Sequence, residues 1–214
     1  MASTALPTTV AQRPALSFDR AAGWAAVASA ALGVLYAVAF LLLHDAALSA
    51  LCLLLGALAS TTVFVALHGR VSASAPPAAL WALLLATLGA LGAMAHGGFD
   101  LANALHPPAG ANPDLPSAVD PRGLLTFGLS GLGTLAFAVL LARDTRTPRA
   151  VGWLGTLSAA LSLALYVGRL VVLDPASPLI ALPALADGFV VSPAWYVALG
   201  VLLMRRPNAA AHRR

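Results

Sequence analysis

Residues 21–43 read AAGWAAVASAALGVLYAVAFLLL, and not one of the 23 is charged. A helix that crosses the hydrocarbon of a bilayer needs about 20 apolar residues. This run is long enough to span, and too long for the apolar core of a cleaved signal peptide. Residues 1–20 before it are polar, contain Pro7 and Pro14, and read as a disordered cytoplasmic tail ahead of an anchor helix.

Five more runs of similar character follow, at 47–67, 78–105, 123–142, 151–173 and 184–204. The third changes character at His96. The sixth contains Pro193, which lacks a backbone N–H and predicts a kink. The expected fold is all-α: a polytopic transmembrane bundle of six helices over 21–204, with a basic tail at 205–214. The expected partner is the lipid bilayer.

Composition agrees. The chain is 60% hydrophobic and 9% charged, whereas soluble domains carry roughly 25% charged residues. The pI near 10.2 raises the question of nucleic acid. The arginines sit in short clusters between apolar runs and form no continuous patch, so that partner is rejected. All basic residues other than histidine are Arg and all acidic ones Asp, a bias that suggests a GC-rich bacterial genome and carries no mechanism. Cys52, the single cysteine, excludes an intrachain disulfide and reads as a small packing residue.

Arginine placement orients the bundle. Arg13, Arg20, Arg70, Arg143, Arg146, Arg149, Arg205, Arg206, Arg213 and Arg214 all fall on one side of an alternating six-span arrangement. Arg122, Arg169 and most aspartates fall on the other. Positive loops stay cytoplasmic, so both termini are expected inside. The one long loop, residues 106–122, reads HPPAGANPDLPSAVDPR. It is rich in proline and small polar residues and lies on the outer face.

An internal repeat is hinted at. Nine of 23 positions match between 23–45 and 152–174, including Gly23/Gly152, Trp24/Trp153, Ser29/Ser158 and Asp45/Asp174. The next helices share FVAL at 64–67 and YVAL at 196–199.

Helical periodicity aligns polar and small residues into stripes. They are Gly89, Gly92, His96, Asp100 and Asn103 in the third helix, and Gly155, Ser158, Ser162, Tyr166 and Arg169 in the fifth. The first contributes Ser29, Gly33, Tyr36, Phe40 and His44, and the fourth Gly123, Thr126, Ser130 and Gly133. Small residues and hydroxyls favour helix–helix contact, so these stripes are expected to face the interior. Ionisable groups inside a membrane are costly unless paired or wet. His44, His96, Asp100, Tyr166, Arg169, Asp174 and Asp187 all lie toward the outer helix ends in this topology. That concentration suggests a polar pocket opening outward, with His96, Asp100, Asn103, Tyr166 and Arg169 as its binding residues and Asp100–Arg169 as its charge pair.

Specific chemistry is thinly encoded. His96 and Asp100 are one turn apart and could share a metal, with His44, His106, Asp174 or Asp187 as further ligands, but a zinc site needs three or four. No haem arrangement is apparent. Gly128-Leu129-Ser130-Gly131 resembles the Gly-x-Ser-Gly motif of rhomboid intramembrane proteases. The histidine that this resemblance implies in the sixth helix is absent, leaving His96 as the partner for Ser130.

Four stretches, AHGGFDLANALHPP (95–108), DPRGLLTFG (120–128), YVGRLVVLDP (166–175) and FVVSPAWYVALG (189–200), together resemble a group of uncharacterised bacterial multi-pass proteins, a membrane domain of unknown function. The resemblance covers about residues 21–204. It implies a six-helix fold in the bacterial cytoplasmic membrane and no assigned activity.

The favoured reading is therefore non-catalytic: an outward pocket for a small or lipid-like ligand in a transporter-like or sensing component. No catalytic residue, metal ligand set or cofactor is assigned. A metal-assisted hydrolase at the outer leaflet and a structural membrane scaffold are the alternatives.

Overall fold

A computed structural model of the chain describes residues 13–107, 123–172 and 177–205, with side chains from Phe18 onward in the first stretch. Among the described residues it is 91% helical, without strands, and has six helices long and apolar enough to cross a membrane. The all-α, six-span expectation holds. In lipid this is the economical solution, because a helix satisfies its own backbone hydrogen bonds.

Helix α1 runs Arg13–Val38 and continues through a wide π-helical turn, Ala39–Leu43. It already winds at Arg13, within the stretch read as tail; residues 1–12 lie outside the described residues. Helix α2 is Ala46–Val71 and α3 is Pro76–Leu105. Helix α4 opens with a π-helical turn, Leu124–Leu129, and continues as Ser130–Arg143. Helix α5 is Arg149–Val171. Helix α6 is Pro178–Ala186, a third π-helical turn at Asp187–Val191, then Ser192–Met204.

Local chemistry sets the turns. His44 takes a left-handed conformation, φ 53°, and reverses the chain after α1. Asp45 then caps α2, its carboxylate accepting a 2.9 Å bond from the Leu48 N–H, as a good N-cap does. Proline opens α3 and α6 at their first positions, where a missing N–H costs nothing. Just ahead of Pro193, where a kink is expected, the helix makes its π turn. Proline cannot donate to the carbonyl four residues back, and the Ser192 N–H instead donates to the Asp187 carbonyl, five residues back.

Each helix packs on its sequence neighbours, and α6 closes the ring on α1. One end of the ring carries Arg20, Arg70, Arg143, Arg146, Arg149 and Arg205; it is the basic end, and the other the far end. Among the described residues, the largest fully buried side chains all lie in the half next to the basic end: Trp195, Phe137, Leu67, Leu141, Leu199, Val63 and Val71. Phe64 and Phe137 stack there at 6.1 Å across the bundle.

The outside is apolar along its length, with Leu84, Leu91, Leu58 and Val167 among many exposed side chains. Such a continuous surface suits lipid rather than water. Trp24, Trp81 and Trp153 are exposed on α1, α3 and α5, each close to the basic end. They form the aromatic belt expected at a membrane interface.

The basic end is laced together by a polar cluster. The Arg70 Nε lies 3.4 Å from the Asp144 carboxylate and donates to the Thr147 hydroxyl at 3.3 Å. Arg146 donates to the same carboxylate at 2.9 Å and to the Arg70 carbonyl at 3.1 Å. Thr147 donates to Asp144 at 3.0 Å. Burial opposes ionisation of Asp144. The hydrogen bonds from Arg146 and Thr147, with the Arg146 charge, outweigh it and hold the carboxyl below its ordinary value.

Candidate functional site

The stripes of α3 and α4 and the small residues of the α5 stripe largely face neighbours, but the expectation fails for much of the α1 stripe: Phe40 and His44 are exposed, and a Cβ on Gly33, or on Gly123 of the α4 stripe, would meet nothing within 4 Å. A Cβ on Gly89 would collide with Ser130, and one on Gly133 with the backbone of Ala86, so α3 and α4 touch nearly backbone to backbone. Gly155 leaves room for the Trp195 indole. Ser29 donates to the Gly56 carbonyl of α2 at 3.3 Å. Two of the matched pairs are placed alike: Ser29 and Ser158 each bond to the next helix of their hairpin, and Trp24 and Trp153 are both exposed. Asp174, the last matched position, lies outside the described residues.

Two polar tiers occupy the far half. The upper tier holds the residues expected from sequence. His96 Nε2 lies 3.0 Å from an Asp100 carboxylate oxygen, one helical turn away on α3. The His96 Nδ1 is buried with no described hydrogen-bond partner. Arg169 is positioned over the Phe127 ring, 5.8 Å from its centroid, within cation–π range. The Tyr36 hydroxyl lies within electrostatic reach of both Arg169 and Asp100. Tyr36 also stacks on Phe40 at 5.7 Å. Asn103 is half-buried, one turn beyond Asp100 on α3. Tyr166 packs over Gly128, its ring 3.5 Å from where a Cβ there would stand. His96 is thus a described partner of Asp100 and Phe127 a described contact of Arg169, with both charges in electrostatic reach of Tyr36. Tyr36 belonged to a stripe in the sequence, but nothing marked it as the residue within reach of both charges.

The lower tier was placed differently by the sequence. Asp187 was read as lying toward a helix end. The sixth helix starts at Pro178 rather than near 184, so Asp187 is nine residues inside it, about 14 Å of helix rise. Asp187 is 9% exposed. Its carboxylate accepts the Ser158 hydroxyl at 2.8 Å and the Ser162 hydroxyl at 3.1 Å, both from α5. The i, i+4 spacing of the two serines was the available signal: it aims two hydroxyls at one point on the next helix. Nearby on α6, Tyr196 hydrogen-bonds with Ser60 and lies within electrostatic reach of Asp187.

Metal and nucleophile chemistry finds little support. Among the described residues no three His, Cys, Asp or Glu side chains gather as a metal would require; Asp174 lies outside them. Ser130 sits against Gly89. Gly89 is seven residues, or about 10 Å of rise, from His96, and His96 Nε2 points to Asp100. That is not the geometry of a serine–histidine dyad, which needs hydrogen-bond reach.

No known family, curated protein or solved structure matches the chain. The site therefore has to be interpreted from its own geometry.

Proposed function

We propose that the chain is a bacterial cytoplasmic-membrane protein with both termini inside, and that its upper polar tier forms a pocket opening outward. In this reading the pocket binds a small or lipid-like ligand, in a transporter-like or sensing component. The arginine-rich, tryptophan-belted end would face the cytoplasm. His96, Asp100, Asn103, Tyr166 and Arg169 would contact the ligand, and Tyr36 would join them. The observation that supports the reading is that Asp100 and Arg169, of opposite charge, both lie within electrostatic reach of Tyr36. A carboxylate and a guanidinium held that way suit a ligand bearing both signs, such as a small zwitterion or a phosphatidylethanolamine headgroup.

The test uses protein in nanodiscs for thermal-shift binding and in proteoliposomes for uptake, with small zwitterions and short-chain phosphatidylethanolamine as probes. Asp100→Ala and Arg169→Ala should each weaken binding at least about tenfold, or about 1.4 kcal/mol. If both variants leave stability and every binding or uptake signal unchanged, the reading fails. Stoichiometric metal in the purified protein, lost in a His96→Ala/Asp100→Ala double variant, would replace it with the metal-assisted hydrolase.

A further inference from the structure

The lower tier poses a separate problem, independent of any ligand above it. A carboxyl group lies in the middle of the bundle. Ser158 and Ser162 are nine and thirteen residues along the 23-residue helix α5, about 14 and 20 Å from its basic end. Asp187 bonds to both, so it sits near the midplane of the span.

The packing around it supplies no described cation. The π turn that carries Asp187 contacts α1, α5 and its own helix. On α1, Ala37 abuts Gly188, and the neighbouring titratable group is Tyr36. On α5 the nearest titratable groups toward the far end are Tyr166 and, seven residues beyond Ser162, Arg169. On α6 itself it is Tyr196. Asp100 and His96 stand in the upper tier with Arg169. None of these groups forms a described ion pair with Asp187; its described bonds are the two serine hydroxyls. A full negative charge left there is costly in a membrane interior, and two neutral hydroxyls do not balance it.

We infer that Asp187 is an intramembrane proton-binding site, resting as the neutral carboxylic acid and cradled by Ser158 and Ser162. The cradle suits both states of the group. When Asp187 is ionised, both serine hydroxyls donate to it, at the observed 2.8 and 3.1 Å. When a proton is added to one carboxylate oxygen, that oxygen donates to a serine oxygen, because a hydroxyl can accept as well as donate. The displaced serine O–H turns to the carbonyl one turn back on its own helix, a bond serines make readily. Thr156 makes this bond on the same helix, donating to the Gly152 carbonyl at 3.0 Å. The π turn at Asp187–Val191 adds a seat that is not locked into a regular α-helical ladder, and such turns recur where helices do something other than pack.

The experiment is infrared difference spectroscopy on the full chain in nanodiscs, titrated in sodium-free choline buffer. The wild type should show the C=O stretch of a protonated carboxylic acid at neutral pH, shifted by D2O and fading as the medium is made alkaline. Asp187→Asn, isosteric and uncharged like the acid, should lack the band. Ser158→Ala/Ser162→Ala leaves Asp187 in place and should keep the band but move it to higher frequency, because the carbonyl loses hydrogen bonds; this arm holds even if the asparagine variant folds poorly. No acid band at any pH in the wild type, or a band unmoved by the double serine variant, overturns the assignment. A carboxylate signature at neutral pH that shifts on adding NaCl alone also overturns it, in favour of a sodium site.

Discussion

The two halves of the bundle are made from the same helices and differ in almost every physical respect. Toward the basic end the ring is filled by Phe64, Leu67, Phe137, Leu141, Trp195 and Leu199, and the helices there are regular. Toward the far end no side chain as large is fully buried among the described residues. That half instead holds the partly buried Tyr36, His96, Asp100 and Tyr166 and, deeper, Asp187, with Arg169 exposed. All three π-helical turns lie at or beyond mid-span on this far side. Lipid offers no hydrophobic drive for helices to associate, so cohesion comes from close packing and from hydrogen bonds. The basic half relies on the first, the far half on the second. A packed half fixes the ring and leaves the other half free to carry irregular backbone and ionisable groups.

The contrast should be visible in stability first. Phe137→Ala removes a wholly buried ring and should cost about 3 kcal/mol, chiefly through the cavity it leaves. Phe40→Ala removes a ring of the same size that is half exposed and stacked on Tyr36, and should cost about 1 kcal/mol. Unfolding midpoints in mixed micelles check both. Equal losses would break the contrast between a packed and a loosely filled half.

The cluster at the basic end comes next. Asp144→Asn keeps the shape and weakens charge-assisted bonds, at about 1 kcal/mol near neutral pH because the partners are partly exposed. The sign with pH follows from the folded carboxyl lying below its ordinary value. Its contribution is complete above the unfolded value of about 4 and disappears as pH falls through the lower, folded one. Acidification should therefore shrink the gap between wild type and Asp144→Asn. A gap that widens on acidification would contradict this account of the cluster.

The smallest effect is spectroscopic. Brominated lipids should quench Trp24, Trp81 and Trp153, which are 59%, 57% and 72% exposed, and spare Trp195 at 1%. Single-tryptophan variants would show it without measurable loss of stability. Efficient quenching of Trp195 would mean that lipid enters the packed half.

Much of the fold could be read directly from the chain. Run length and arginine placement gave six helices and their alternation, because a bilayer imposes both. The stripes were legible for the same reason: at Gly89, Gly133 and Gly155, only a small residue lets the neighbouring helix approach. The misplacement of Asp187 has a physical cause. Pro178 and Pro183 look like helix breakers, yet one sits at a helix start and the other is accommodated within the helix, which moves the helix start outward and the aspartate inward. The π turns were not legible, since the sequence specifies hydrogen-bond partners only through packing. The Arg70–Asp144–Arg146–Thr147 cluster was hidden because arginines in loops read first as topology signals. In the upper tier, spacing along α3 pointed to His96 with Asp100. That Tyr36 would come within electrostatic reach of both Asp100 and Arg169 depended on which helices adjoin.

The proposed pocket requires a polar interior open at the far end and closed at the basic end. In a Cys52→Ala background, single cysteines introduced as Asn103→Cys, Tyr166→Cys, Ala82→Cys and Leu199→Cys, in membranes treated with an impermeant maleimide, test this directly. Labelling of the first two from one face only, with Ala82→Cys and Leu199→Cys silent from both faces, is the predicted result. Labelling of Ala82→Cys or Leu199→Cys as fast as the others, or no labelling of Asn103→Cys and Tyr166→Cys from either face, would contradict it.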